Sequence, residues 1–202
     1  MSALLPAAGL KRIEAVVIGA SAGGVEAISV LLAALPASSS LSVFVVLHLP
    51  RSRPSLLAGI FGPKCALPVA EAQDKEPVQR GAVYLAPPDY HLLIDAGPRL
   101  ALSADEPVNY SRPAIDVLFE SAADVYGERL LAIVLTGGND DGAAGMEAVL
   151  RNGGEALVQD PDTAQVPLMP RAARRRNPGS AVLPLAGIGA LLAGLGSHAA
   201  AP

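Results

Sequence analysis

Apolar residues follow two rhythms along this chain. IEAVVI (13–18), LSVFVVL (41–47) and LLAIVLT (130–136) are short runs with almost no polar face. Such runs predict strands of a sheet covered on both sides. Between them the apolar positions are spaced. Val25, Ile28, Leu32 and Leu35 share one face of a predicted helix. Ile115, Leu118, Ala122 and Val125 do the same over 111–127, with Ser111 as a candidate cap. A third helix is expected over 141–154, stopping at Asn152–Gly153. Residues 52–61 and 169–176 predict short helices, 155–160 a strand, and 181–194 a short strand followed by a helix. The turn-rich middle holds four short runs, ALPVAEA, GAVYLA, HLLIDA and PRLAL, which read as an antiparallel excursion. Strands that alternate with helices predict an α/β fold. The expectation is an open, mostly parallel, doubly wound sheet flanked by helices, with a small antiparallel excursion in the middle. No repeat or linker interrupts it, so one domain is expected over 12–195, with loose termini at 1–11 and 196–202.

Composition narrows the class. Hydrophobic residues make up 51% of the 202 and charged residues 17%, which excludes a disordered chain. Aromatics are only 3%, so Val, Leu, Ile and Ala must fill the core. The net charge of −4 argues against nucleic acid as a partner. No apolar run reaches the ~20 residues of a membrane helix, and the N-terminus has its basic residues after its apolar ones, the wrong order for a secretory signal. A cytoplasmic protein without membrane insertion is expected. The single cysteine, Cys65, permits no internal disulfide and has no obvious basic partner. With three dispersed His and one Cys, no metal-ligand spacing is visible, and no metal or cofactor is expected.

In an open parallel sheet, ligands bind beyond the carboxyl ends of the strands. The first such end carries Gly19-Ala20-Ser21-Ala22-Gly23, a G-x-S-x-G between strand and helix. Small flanks let the backbone turn sharply and present a serine hydroxyl, while the helix behind favours developing negative charge. The same stretch, Gly19 to Gly24, also reads as a phosphate cradle, and on this segment alone the two readings stand level. The second end carries His48, which could take a proton from Ser21. The third carries TGGNDDGAAGM (136–146), where Asp140 or Asp141 either caps the following helix or orients His48. A dinucleotide fold would place an acid, not His48, at the second end.

Several spaced segments carry a resemblance: IGASAGGVEAI, LHLP, GAVYLAPPDYHL, SRPAIDVLFESAA, LTGGNDDGAAGM and MPRAA. Over about residues 12–195 the sequence resembles the catalytic domain of the chemotaxis receptor methylesterase family, CheB. The resemblance implies a protein-glutamate methylesterase, with glutamine deamidation as a second activity, acting on methylated cytoplasmic parts of chemoreceptors or a related signalling protein. It implies Ser21 as nucleophile, His48 as catalytic histidine and Asp141 as catalytic aspartate. Backbone N–H groups of Ala22, Gly137 and Gly138 are candidates for holding the oxyanion. Only a dozen residues precede the first predicted strand, so a stand-alone domain is expected, with any receiver domain on a separate protein. The family loop T-G-M-G-N-D-G reads Thr136-Gly137-Gly138-Asn139-Asp140-Asp141-Gly142 here, so a methionine is lost, and the threonine that often follows the serine is Ala22. Arg171, Arg174, Arg175 and Arg176 form a basic cluster: either a solvated helix face or, for Arg171 and Arg174 especially, a docking site for an acidic substrate. His91 reads as an exposed loop histidine, and His198 as part of the tail. The alternatives are a catalytically weak relative that docks to receptors or regulators, and a nucleotide-binding α/β domain.

Overall fold

The computed structural model describes residues 12–49 and 55–198. In chain order the strands are β1 (Ala15–Ala20), β2 (Ser42–Leu47), β3 (Val69–Glu71), β4 (Ala82–Leu85), β5 (His91–Asp95), β6 (Arg99–Ser103), β7 (Leu130–Val134), β8 (Glu155–Gln159) and β9 (Ala181–Leu183). The helices are α1 (Gly24–Ala33), α2 (Leu57–Phe61), α3 (Ile115–Tyr126), α4 (Ala143–Arg151), α5 (Leu168–Arg176) and α6 (Leu185–His198).

Seven strands form one sheet in the order β3-β4-β2-β1-β7-β8-β9, and every neighbouring pair is parallel. From β1 the chain goes to β2, then to the edge strand β3, turns back to insert β4 between β2 and β3, and crosses to β7 on the other side of β1 before running to the opposite edge. The reversal between β1 and β7 is the topological switch point, where such sheets open a crevice for ligands. Side chains alternate across each strand, so both faces need cover. Val16, Ile18, Val43 and Val45 pack with Ile28, Leu31 and Leu32 of α1 and Ile188 and Leu192 of α6. Val17, Phe44, Val46 and Val134 pack on the other face with Leu118 and Phe119 of α3, Met146 and Val149 of α4 and Met169 of α5. The doubly wound expectation therefore holds.

Three local expectations change. First, β1 starts two residues later than 13 and runs on through Gly19 to Ala20. Second, only β5 and β6 make the antiparallel excursion, while β3 and β4 join the main sheet in parallel. Third, α6 is a single helix to His198, so the expected boundary at 195 falls inside it. Residues 1–11 and 199–202, read as loose, lie outside the described residues, as do 52–54 of the predicted short helix, of which Leu57–Phe61 is helical.

Candidate active site

Strand register brings the first two sequence candidates together. Ala20 of β1 pairs with Leu47 of β2, and the His48 N–H donates to the Ala20 carbonyl at 3.1 Å. Ser21 and His48 are the next residues on each strand, so they leave the sheet side by side at roughly the 4.8 Å strand spacing. On the other flank, the Ser21 N–H donates to the Thr136 carbonyl at 2.9 Å, just past β7. Ser21 thus sits at the switch point. The chain must reverse within three residues to enter α1. Gly23 makes this possible with φ 77, a left-handed conformation that favours glycine. The Gly24 N–H then closes the turn on the Ser21 carbonyl at 2.8 Å. Buried Thr136 braces the turn: its Oγ1 donates to the Ala22 carbonyl and accepts the Val166 N–H, each at 2.9 Å.

The choice between the two adjacent acids is decided by burial and reach. Asp140 is exposed, whereas Asp141 is fully buried and its Oδ2 lies 2.8 Å from His48 Nε2. Asp141 also accepts the N–H groups of Ile115 (2.7 Å), Asp116 (3.0 Å) and Gly142 (3.1 Å), and Nδ2 of Asn109 at 3.0 Å. Burial opposes its charge, but the hydrogen bonds from His48, Ile115, Asp116 and Asn109 outweigh burial and hold the carboxyl below its ordinary range. An ionised carboxylate only accepts, so Nε2 of His48 carries a proton toward it, and in a neutral imidazole this leaves the lone pair on Nδ1. The His48 side chain is 12% exposed, shielded but within reach of substrate.

The remaining sequence candidates separate. The Gly137 N–H is engaged by the Val166 carbonyl at 3.0 Å, so it is not free for an oxyanion. Among the described residues, the N–H groups of Ala22 and Gly138 make no intramolecular hydrogen bond. Arg171 and Arg175 line a hollow of about 540 Å³ with Asn139, Asp140, Val166, Pro167 and Leu168, against the rim that carries Asp141. Arg174 is absent from that lining and borders a neighbouring hollow with Asp160 and Asp162, which Arg171 and Arg175 border as well. Arg176 is paired with Glu147 at 2.8 Å.

His91 is not the exposed loop histidine expected from sequence. It is 2% exposed, its Nδ1 accepts the Ala114 N–H and its Nε2 donates to the Glu106 carbonyl, both at 3.2 Å. It therefore helps seat the start of α3. Ser111 does not cap that helix either. Its first amides are met by His91 and Asp141, from elsewhere in the chain. Sequence reasoning also passed over Asn109 and Asp116. The latter left a signal: Asp116, Phe119 and Ala123 share a helix face, and the other two are core residues.

A family model described as CheB methylesterase matches residues 16–192. The crystal structure of the Thermotoga maritima CheB methylesterase catalytic domain superposes with a TM-score of 0.86 at 33% identity, covering 91% of this chain and 98% of that one. A Leptospira interrogans relative, provisionally named a protein-glutamate methylesterase/protein-glutamine glutaminase, is 45% identical over 160 residues, 79% of this chain and 83% of its own. Protein-glutamate methylesterase/protein-glutamine glutaminase 1 of Rhodospirillum rubrum is 37% identical over 185 residues, 89% of this chain but 48% of its own. The chain thus spans most of the Leptospira relative and about half of the Rhodospirillum one. Among the described residues no helix is long and apolar enough to cross a membrane. A matching parallel sheet, a fold shared with a solved catalytic domain and a family match over nearly its whole length make this chain a member of the CheB methylesterase family.

Proposed function

We propose that this protein hydrolyses γ-methyl esters of glutamyl side chains on a protein substrate in the cytoplasm, with Ser21 as nucleophile, His48 as general base and acid, and Asp141 as its orienting carboxylate. The observation that carries this reading is the 2.8 Å contact between His48 Nε2 and buried Asp141, with Ser21 at the adjacent register position. In this reading the imidazole, held through Nε2, uses Nδ1 to take the serine proton. That is the reverse of the nitrogen assignment in the Ser-His-Asp template, with the same division of roles.

The chemistry balances as two acyl transfers. Ser21 Oγ attacks the ester carbonyl as its proton passes to His48 Nδ1. The tetrahedral oxyanion gains from the Ala22 N–H, the Gly138 N–H and the positive end of α1. Methoxide is a poor leaving group, so His48 returns the proton and methanol departs. Water then attacks the acyl-serine and gives one proton to His48, which passes it to Ser21 as the glutamic acid side chain leaves, and that acid then ionises to carboxylate and a proton in solvent. An amide substrate follows the same course with ammonia leaving, in keeping with the glutaminase in the relatives' names. The partner proposed is the methylated cytoplasmic part of a chemoreceptor, with any receiver domain acting from a separate protein.

Methanol release from methylated receptor membranes tests the proposal. The protein should release methanol, and Ser21→Ala should lower the rate by at least about 10³-fold while the fold survives. Normal release by Ser21→Ala would remove Ser21 as nucleophile. Binding of receptor without methanol release by the unmodified protein would favour a docking module.

A further inference from the structure

Behind His48 lie two buried carboxylates joined by one amide. Asp116 is 6% exposed and Asp141 is fully buried. Asn109 Nδ2 carries two protons and donates to both: to Asp116 Oδ2 at 2.8 Å and to Asp141 Oδ1 at 3.0 Å. The other oxygen of Asp116 accepts the N–H groups of Gly142 at 2.9 Å and Gly145 at 2.6 Å, at the start of α4. Asp141 in turn accepts the first two N–H groups of α3. The start of α4 is therefore capped by a carboxylate of α3, and the start of α3 by one in the loop that leads into α4. Neither helix has a capping side chain at its own N-cap, which are Ala114 and Gly142.

This exchange fixes the acid of the relay. Oδ1 of Asp141 meets Asn109, Asp116 N–H and Gly142 N–H, and Oδ2 meets Ile115 N–H and His48. With every other direction occupied, the carboxylate has one orientation, and in it Oδ2 faces the imidazole. A hydroxyl at position 109 has one proton to give, whereas an amide has two, one for each anion. We propose that Asn109 and Asp116 are positioning residues for catalysis: the Asn109 amide clamps Asp141 in the orientation that meets His48, and Asp116 clamps both the amide and the loop carrying Asp141. The inference rests on the reading of Ser21, His48 and Asp141 as the catalytic set. Burial and the neighbouring Asp141 charge push Asp116 above the ordinary carboxyl range, in line with two anions that need the amide between them.

Asn109 has φ 50, a conformation glycine adopts freely, so Asn109→Gly removes the amide and spares the turn. Asp116→Asn keeps the acceptor for Gly142 and Gly145 but turns an NH2 against that of Asn109. Tyr110, fully exposed on the same turn, provides Tyr110→Ala as a control. The readouts are kcat and KM on a short glutamyl methyl ester peptide, the thermal midpoint, and the low-field proton resonance of the His48 Nε2–H. Asn109→Gly and Asp116→Asn should each lower kcat by about 10- to 100-fold with KM within twofold, the loss expected when a reacting group is displaced from a distance. The low-field proton should shift or vanish in both, and Tyr110→Ala should resemble the parent. Asp116→Asn decides the matter if Asn109→Gly fails to fold.

An Asn109→Gly protein with the parent's kcat and the parent's low-field proton overturns the clamp. So does a rise in KM at constant kcat, which would mean contact with substrate, or an equal loss in Tyr110→Ala, which would mean turn integrity alone. Ser21→Ala and His48→Ala are assayed alongside. If they retain activity, the catalytic set itself is wrong. If they are inert while Asn109→Gly is fully active, only the clamp falls.

Discussion

A carboxylate removed from water keeps its charge only if hydrogen bonds replace the lost hydration. Asp141 has five donors and Asp140, one residue earlier, remains in solvent. Substitution should separate them sharply. Asp141→Asn leaves the size unchanged but disturbs the imidazole tautomer, and should lower kcat by about 10³- to 10⁴-fold. It also weakens the start of α3, which should cost about 1–3 kcal/mol of stability. Asp140→Asn should stay within a few-fold of the parent and within about 0.5 kcal/mol. A larger loss of turnover in Asp140→Asn would reverse the assignment. Acid titration offers a second check, because the Asp141 carboxyl is lower in the folded state than in the unfolded chain. Its contribution to stability is present above about pH 4, the ordinary carboxyl value, and is lost as pH falls through the lower folded value. Asp116 is raised, so it has the opposite sign: its unfavourable charge is relieved as pH falls through its folded value toward about 4. Urea unfolding at stepped pH should therefore show a shallower acid loss in Asp141→Asn than in the parent.

The two helices that exchange caps must lie close together, and one residue sets how close. A Cβ built on Gly145 of α4 would lie 2.6 Å from Phe119 Cβ and 2.9 Å from the Asp116 Cα of α3. Gly145→Ala should push the helices apart, cost about 1–3 kcal/mol by overpacking, and lower turnover because the Asp116–Gly145 cap opens with them. In contrast, a Cβ on Gly59 of α2 meets nothing within 4 Å among the described residues, so Gly59→Ala should be neutral or slightly stabilising. Equal midpoints for the two variants in thermal unfolding would dispose of the packing argument. The same elements explain what was legible beforehand. β1, β2 and β7 were readable because burial on both faces leaves uninterrupted apolar runs, and the residue types after each run pointed to the crevice. The partners of the short middle strands were not readable. Val69–Glu71 and His91–Asp95 are both brief, and nothing local tells one to join β4 in parallel and the other to fold back on β6. Nor was the cap of α3. Ser111 was the local candidate, but its place is taken by Asp141 and His91, residues distant in sequence, and the Asn109–Asp116 bridge exists only once those helices meet.

At the scale of the whole molecule, charge and site geometry point outward on the same side. The chain carries a net charge of −4, yet Arg171, Arg174 and Arg175 are exposed on α5 and make no ion pair among the described residues. Arg171 and Arg175 line the hollow that shares Asn139 and Asp140 with the loop leading to Asp141, and exposed Leu168 adds an apolar side chain to its lining. Under the proposed function these unpaired cations stand where an acidic protein substrate would approach. A site that handles glutamate-bearing protein gains from them, because attraction between unlike charges raises the encounter rate and salt removes that gain. The screening length falls from about 10 Å at 0.1 M salt to about 3 Å at 1 M. Contacts inside the crevice are shielded far less than the long-range field. Turnover on methylated receptor should therefore fall by about tenfold as salt rises through this range, while turnover on a short neutral methyl ester peptide should hold within about twofold. Arg171→Glu with Arg175→Glu should flatten the receptor curve and leave the peptide rate unchanged. Arg174→Glu should have the smaller effect, since Arg174 does not line the hollow beside Asp140. Parallel salt curves for receptor and peptide would show that the ridge does no steering, and an unchanged receptor curve in the double variant would move the steering charge elsewhere on the surface.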